Sequence, residues 1–464
     1  MAKRKNNKNK KTVSNPAKDV AILSSRQQWG PIAALAFGFL LFGYRMFDLI
    51  SEYSVNILYW DQWDFDNATL FQRHTLWQMF SWQHGPHRQG LGALLQWLAE
   101  PLFHWNSRTE SFLVGGVILV AALLAVWLKK RLYGEISYSD VIIPLIFLSP
   151  LQFETLFVTA NFAHGPLPLL LVVLYCLAWT NQNLTLRYGL VLMINFLAIY
   201  TGFGIFLGLL TPVLFALDYW VTLRNTQTGR TYFSVALLTS VVSLSSFFIG
   251  YKSQPAADCF NPKLQVTADY FWYVALMFAP FFGEQGISAL PRCAGVGAVS
   301  ALFACLWISL RNPPARNARW ESHRTIATLI SYCFLFCIAT AYGRLCLGVQ
   351  SALNSRYAIY LNLGLLGLYF SLLLVPRNLL RHTLVSIFGL SLLGTIASGE
   401  RSRGVMEMVR SDKQEWKDCY IKTGDVEKCN QSSRVYPGDP AATHLTEKLE
   451  FLRKNRQNLF ADSE

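Results

Sequence analysis

The sequence predicts an all-α polytopic membrane protein: a transmembrane bundle of about eleven spans, with interfacial helices in a long first outer loop. Three observations predict it. Apolar runs of roughly 17–20 residues recur, each long enough to cross ~30 Å of hydrocarbon. The 464 residues are 52% hydrophobic, 14% aromatic and only 15% charged, with a mean hydropathy of +0.28, whereas soluble domains carry about 25% charge. The Lys- and Arg-rich loops also fall on one side of the predicted spans. A barrel would need alternating strands of about ten residues, a pattern the sequence lacks. The formal charge of +13 follows from this topology, because cytoplasmic loops accumulate Lys and Arg, so nucleic acid is not an expected partner.

Residues 1–28 carry Lys3, Arg4, Lys5, Lys8, Lys10, Lys11 and Lys18 among Asn and Ser. They are expected to form a disordered basic cytoplasmic tail that touches anionic lipid. The stretch is too long and too polar for an ordinary signal peptide. The bundle is expected over 29–398, its first span at 31–50 starting inside, with Arg45 and Asp48 as an intramembrane i,i+3 ion pair. Residues 51–110 form the first outer loop, where 67–82 and 89–103 have the spacing of surface helices. Gly85-Pro86 separates them, and Pro86 suits the first position of a new helix.

Further spans are expected near 111–128, 140–158, 165–180, 187–200, 203–220, 232–250, 293–310, 325–344, 357–375 and 383–398, with 271–282 re-entrant or interfacial. This arrangement puts Lys129-Lys130-Arg131, Arg187, Arg224, Arg230, Arg311, Arg324, Arg377 and Arg381 in the cytoplasm. Residues 399–464 are left as a small extracytoplasmic tail ending in an amphipathic helix near 443–459. Of the nine cysteines, Cys176, Cys305, Cys333, Cys337 and Cys346 suit small core positions. Cys259 with Cys293, and Cys419 with Cys429, are candidate disulfides in an oxidising compartment.

The polar outliers gather on the outer side. Tyr59-Trp60-Asp61-Gln62-Trp63-Asp64-Phe65-Asp66 sets carboxylates among aromatic rings just past the first span. On one helical turn Asp61 and Asp64 share a face and serve either as a general base or as oxygen ligands to a divalent cation. The plain alternative is a solvated loop whose Trp residues anchor the interface. His84, His87 and Arg88 either hold an anion at a helix start or simply cap it. Arg344 closes one span, and Arg356 with Tyr357 opens the next. Guanidiniums at membrane level call for a phosphate, for Asp61 or Glu154, or for snorkelling to headgroups. Glu154 is a candidate second carboxylate, whereas Asn161, His164 and the glycines near 202–204 suit turns. The sequence contains no Walker loop, dinucleotide fingerprint, GxSxG elbow or HExxH, which leaves nucleotide hydrolysis, hydride transfer and serine or zinc proteolysis without support.

Trp60-Asp61-Gln62-Trp63-Asp64, His84-Gly85-Pro86-His87-Arg88, Gly343-Arg344 and Ser355-Arg356-Tyr357 together resemble the GT-C-type membrane glycosyltransferases, more closely a bacterial multi-pass group with an acidic first outer loop. The resemblance covers about residues 30–400. It implies a bacterial inner-membrane enzyme that uses a polyprenyl-phosphate sugar donor on the extracytoplasmic face and a glycan, lipid or protein acceptor. By position, Asp61 or Asp64 would activate the acceptor, and Arg344, Arg356 and Arg88 would hold the donor phosphate. Relatives carry a second acidic motif in later outer loops. Only Glu154 and Asp258 are available here, which leaves dependence on Mg or Mn open. A transporter or flippase of lipid-linked glycan is the alternative, as is a non-catalytic subunit of an envelope-polysaccharide complex. A path of charges deep between spans would mark the transporter.

Overall fold

A computed structural model describes residues 16–66, 75–161, 163–254, 257, 259–261, 267–311, 319–436 and 444–461. The fold is all-α. The only sheet among the described residues is a two-stranded hairpin, β1 (Gln83–His84) with β2 (His87–Arg88). Seven helical segments are long and apolar enough to cross a membrane: Trp29–Tyr53, Ser107–Tyr133, Ile205–Leu223, Ala289–Arg311, Trp320–Leu347, Ser355–Leu373 and part of Asn378–Thr423.

The first span belongs to α1 (Pro16–Tyr53), which starts inside the stretch expected to be a disordered tail. Residues 1–15 of that tail lie outside the described residues. Arg45 pairs with Glu400, which Arg403 also contacts, and not with Asp48. Its charge therefore ties the first span to the C-terminal region rather than to its own helix. α2 (Asp61–Asp66) and α3 (Leu76–Phe80) are short. The Gly85-Pro86 break becomes the turn of the hairpin, with Gly85 at φ 54°, so Pro86 starts no helix. The next helix, α4, begins at Gly90 and runs to Phe103.

α5 (Ser107–Tyr133) is capped by Asn106 and ends at Gly134, whose φ of 85° suits a glycine after a helix. α6 (Ile142–Phe147), α7 (Pro166–Trp179), α8 (Leu184–Ile199), α9 (Ile205–Asp218) and α10 (Gln227–Ser246) follow. α7 has 14 residues, roughly 21 Å of helix against ~30 Å of hydrocarbon, and buries most of them inside the protein. Spans were expected at 140–158, 165–180, 187–200 and 232–250. Helices form there, but they are too short or too polar to cross by length and composition alone. α11 (Thr267–Phe278), over most of the stretch expected to be re-entrant or interfacial, is likewise short.

α12 (Ala289–Arg311), α13 (Arg319–Arg344) and α14 (Ala358–Leu373) form the densest packing. A Cβ on Gly364 would sit 2.6 Å from Cys333 Sγ, and one on Gly367 would sit 2.8 Å from Ile330 Cγ1. The absent side chains let α14 lie directly on α13. Away from the first loop, at the far end of the bundle, Lys129 pairs with Asp140 at 2.9 Å, and Arg324 with Asp218, both pairs fully buried. Tyr369 donates to Asp140, and Tyr188 and Trp320 donate to Asp218, so each carboxylate is saturated by its neighbours.

α15 (Asn378–Leu392), α16 (Gly394–Arg401) and α17 (Arg403–Thr423) continue almost without a break into the C-terminal region. α18 (Val426–Cys429) and α19 (Leu445–Lys454) then fold back. Trp416, Tyr420, Val435, Leu445, Leu449, Leu452 and Leu459 build a second apolar core with Val55, Ile57, Leu58, Trp63 and Trp105 of the first loop. Cys419 and Cys429 are bonded as expected. Cys259 is bonded to Cys346 rather than to Cys293, which is free and exposed. Sequence position had assigned Cys346 to the core, but it lies just past α13, where the bundle ends.

Candidate functional site

At the loop end of the bundle, Glu154 begins a π-helical turn, 154–158. Its Oε2 accepts from Ser355 Oγ at 3.0 Å and from the Arg356 backbone N at 2.9 Å, and Arg356 Nη2 lies 3.4 Å from Oε1. These residues are about 200 positions apart in sequence and meet because α14 starts beside the π-turn. Arg356 Nε has no partner among the described residues. Asp61 and Tyr357 also act electrostatically on Arg356. Asp61 is exposed at the start of α2 and its carboxylate has no hydrogen-bond or ion-pair partner among the described residues. The next residue, Gln62, anchors the turn: it accepts from Tyr59 N at 3.0 Å and donates to Glu110 and to Ala160 O at 3.1 and 2.9 Å. Asp64 shares the helical turn, as expected, but its side chain lies outside the described residues; so does Asp258.

A cavity of about 310 Å³ is walled by Phe203, Phe206 and Phe260, with His87, Thr340 and Arg344 among its polar lining. The Cys259–Cys346 disulfide ties the segment that carries Phe260 to the end of α13, next to Arg344. Arg344 has no ion-pair partner among the described residues. The buried Thr340 Oγ1 has no hydrogen-bond partner there either.

The His87 ring packs 4.1 Å from Phe203 and 5.7 Å from His164, centroid to centroid. Burial holds the His87 imidazole down to about 3, helped by His84 and Arg344 and partly opposed by its hydrogen bond to the Gly202 backbone. Burial likewise pushes His164 well below the ordinary imidazole range, followed by the effects of His87, Arg344, His84 and Arg356. Both rings are neutral at neutral pH, so the guanidiniums carry the positive charge of the site. A Cβ on Gly202 would lie 2.4 Å from His164 O and 2.9 Å from the Tyr360 hydroxyl, so only glycine allows the chain to pass here.

Several expected residues have other tasks. Arg88 is 4% exposed. It donates to Phe247 O at 3.0 and 2.9 Å, to Ile249 O at 2.6 Å and to Ser81 O, and lies over the Phe247 and Tyr251 rings. With its donors spent on backbone carbonyls, it locks the hairpin to the end of α10 rather than holding a phosphate. The Tyr357 hydroxyl lies 3.4 Å from that of Tyr273, inside the protein. The His84 ring packs on Trp82. Asn161 is turn chemistry, as expected, its Oδ1 accepting from Ala163 N and His164 N. His164, which the sequence suggests is turn chemistry, is instead packed against His87 and Phe203. It joins the site through tertiary packing, which no local spacing announces.

No three His, Cys, Asp or Glu side chains come together as metal ligands among the described residues. No protein family, curated protein or solved structure matches the chain.

Proposed function

We propose that this protein is a membrane glycosyltransferase of the bacterial inner membrane. It moves a sugar from a polyprenyl-phosphate donor to a cell-envelope acceptor on the extracytoplasmic face, with the N-terminus in the cytoplasm. Two observations carry the reading: the Glu154–Arg356 pair, on whose guanidinium Asp61 also acts electrostatically, and a cavity that combines an unpaired Arg344 with a wall of aromatic rings. An anion on an apolar chain fits that combination: the guanidinium takes the phosphate oxygens in bidentate fashion, and the rings accept the first isoprenoid units.

In the proposed reaction the acceptor oxygen attacks the anomeric carbon of the donor sugar. The bond from that carbon to the phosphate oxygen breaks, and the electron pair leaves with the polyprenyl phosphate, whose charge Arg344 and Arg356 stabilise. The acceptor proton passes to Asp61, the free carboxylate of the cluster. Glu154, engaged through both oxygens, orients Arg356. One base with in-line attack inverts the anomeric centre. Membrane lipid is both the solvent and the route of entry for the donor.

The test is transfer by purified protein or membranes from a panel of polyprenyl-phosphate sugars. Asp61→Asn is expected to lower the rate by about 10²–10⁴-fold while the protein stays folded and membrane-inserted. Wild-type rates from both Asp61→Asn and Asp64→Asn would remove the assignment.

A further inference from the structure

Glu154 borders a cavity of about 350 Å³, separate from the aromatic one, within the range of roughly 300–1,000 Å³ typical of small-molecule sites. Its polar lining differs in kind from that of the aromatic cavity: Glu154, Gln285, Gln350, Asn354, Ser355 and Ser402, with no Arg or Lys among the described lining residues. The side-chain amides of Gln350 and Asn354 have no hydrogen-bond partner among the described residues. Gln285 donates through Nε2 to Ser398 O at 3.0 Å and to Ser402 Oγ at 3.4 Å, which leaves its carbonyl oxygen open.

We propose that this cavity is the acceptor subsite and that it takes a neutral, polyhydroxylated carbohydrate. The inference rests on the glycosyltransferase reading and narrows it from any envelope acceptor to a glycan. A sugar ring presents adjacent hydroxyls, each both donor and acceptor. A planar amide answers two of them with one N–H and one C=O, and a carboxylate accepts from a third. An anionic headgroup would find no cation here and would face Glu154. The apolar part of the lining, which includes Phe153 and Leu353, suits the C–H face of the ring. Glu154 is common to this cavity and to the ion pair with Arg356, so an acceptor bound here sits next to the groups proposed to act on the donor.

The experiment uses full-length protein in lipid nanodiscs, with Gln350→Ala, Asn354→Ala and the double variant. In the first arm, transfer from a polyprenyl-phosphate hexose to a neutral hexose oligosaccharide is measured. Each single variant should raise the acceptor KM about tenfold, the equivalent of one lost hydrogen bond, without a parallel fall in kcat. In the second arm, saturation-transfer NMR detects binding of the same oligosaccharide without donor. A signal is expected for the wild type and should be lost in the double variant. Unchanged KM and binding in the double variant would overturn the subsite. Transfer only to a serine-containing peptide or an acidic phospholipid would overturn the subsite and keep the enzyme reading. Oligosaccharide binding that needs Gln350 and Asn354, with no transfer from any donor, would sink the enzyme reading and leave the carbohydrate site standing.

Discussion

Two arginines from the same end of the bundle show how little residue type says about role. Arg88 and Arg344 both lie where the sequence places cationic chemistry, yet one is saturated by carbonyls and the other is unpaired in a cavity wall. Arg88→Met should destabilise the protein by about 3 kcal/mol, because it strips buried carbonyls of charged donors. Arg344→Met should stay within about 0.5 kcal/mol of wild type. Thermal unfolding in detergent checks both, and reversed effects would exchange the roles given to them. His87 and His164 make a second residue-scale prediction. Their folded-state affinity for protons is depressed, so the unfolded chain takes up protons below about pH 6.5 while the folded chain's rings stay neutral further down, His87 to about 3. Stability present above pH 6.5 should therefore fall as the pH drops through that window. A fully buried imidazole would lose ~1.4 kcal/mol per pH unit, and His87 and His164, both half-buried, somewhat less. A denaturation temperature that is flat from pH 7.5 to 5, or equally steep in a His87→Phe, His164→Phe double variant, would contradict the assignment.

At the scale of elements, the C-terminal region braces the site. Lys413 on α17 is 2% exposed. It donates to Phe157 O and Val158 O at 3.0 and 2.6 Å, the end of the π-turn that begins at Glu154. Its ammonium also lies 4.8 Å from the Tyr59 ring centroid, two residues before Asp61. On the other flank of Asp61, Trp60 N donates to Val435 O at 2.7 Å and Lys448 Nζ to Trp63 O at 3.0 Å. Lys413→Met should speed hydrogen exchange across 154–161 by about tenfold or more, as expected when a turn loses its charged clamp. Lys413→Arg should restore much of the protection. Unchanged exchange in the methionine variant would show that the π-turn holds itself.

For the whole molecule, the second apolar core puts the first loop and the C-terminal region on one face of the membrane. Asn458 makes the join specific: its side-chain nitrogen donates to Ser107 Oγ at 3.1 Å and to Asn56 Oδ1 at 3.3 Å, and its backbone carbonyl oxygen accepts from Asn56 Nδ2 at 2.8 Å. In a Cys293→Ser background, Trp60→Cys and Lys422→Cys should react with a membrane-impermeant thiol reagent from the same side of sealed vesicles. Labelling from opposite sides would break the docking and, with it, the support for Asp61. Chain segments that share a core must share a compartment, so the first loop and the C-terminal region have to be separated by an even number of crossings.

The amino-acid sequence alone determined the class of the protein, the all-α membrane bundle, because apolar run length and charge segregation are local properties that the bilayer imposes directly. It also brought out Glu154, Arg344 and Arg356 as groups too costly to stand at the membrane without purpose, and it paired Cys419 with Cys429 across a ten-residue separation. Tertiary structure decided the rest. Pro86 turns a hairpin, Arg45 reaches Glu400, Cys259 bonds Cys346, Arg88 is consumed by backbone carbonyls and His164 enters the site. Each of these depends on which surfaces meet after the helices pack. Partners chosen by proximity across hundreds of residues leave no periodicity in the chain to read.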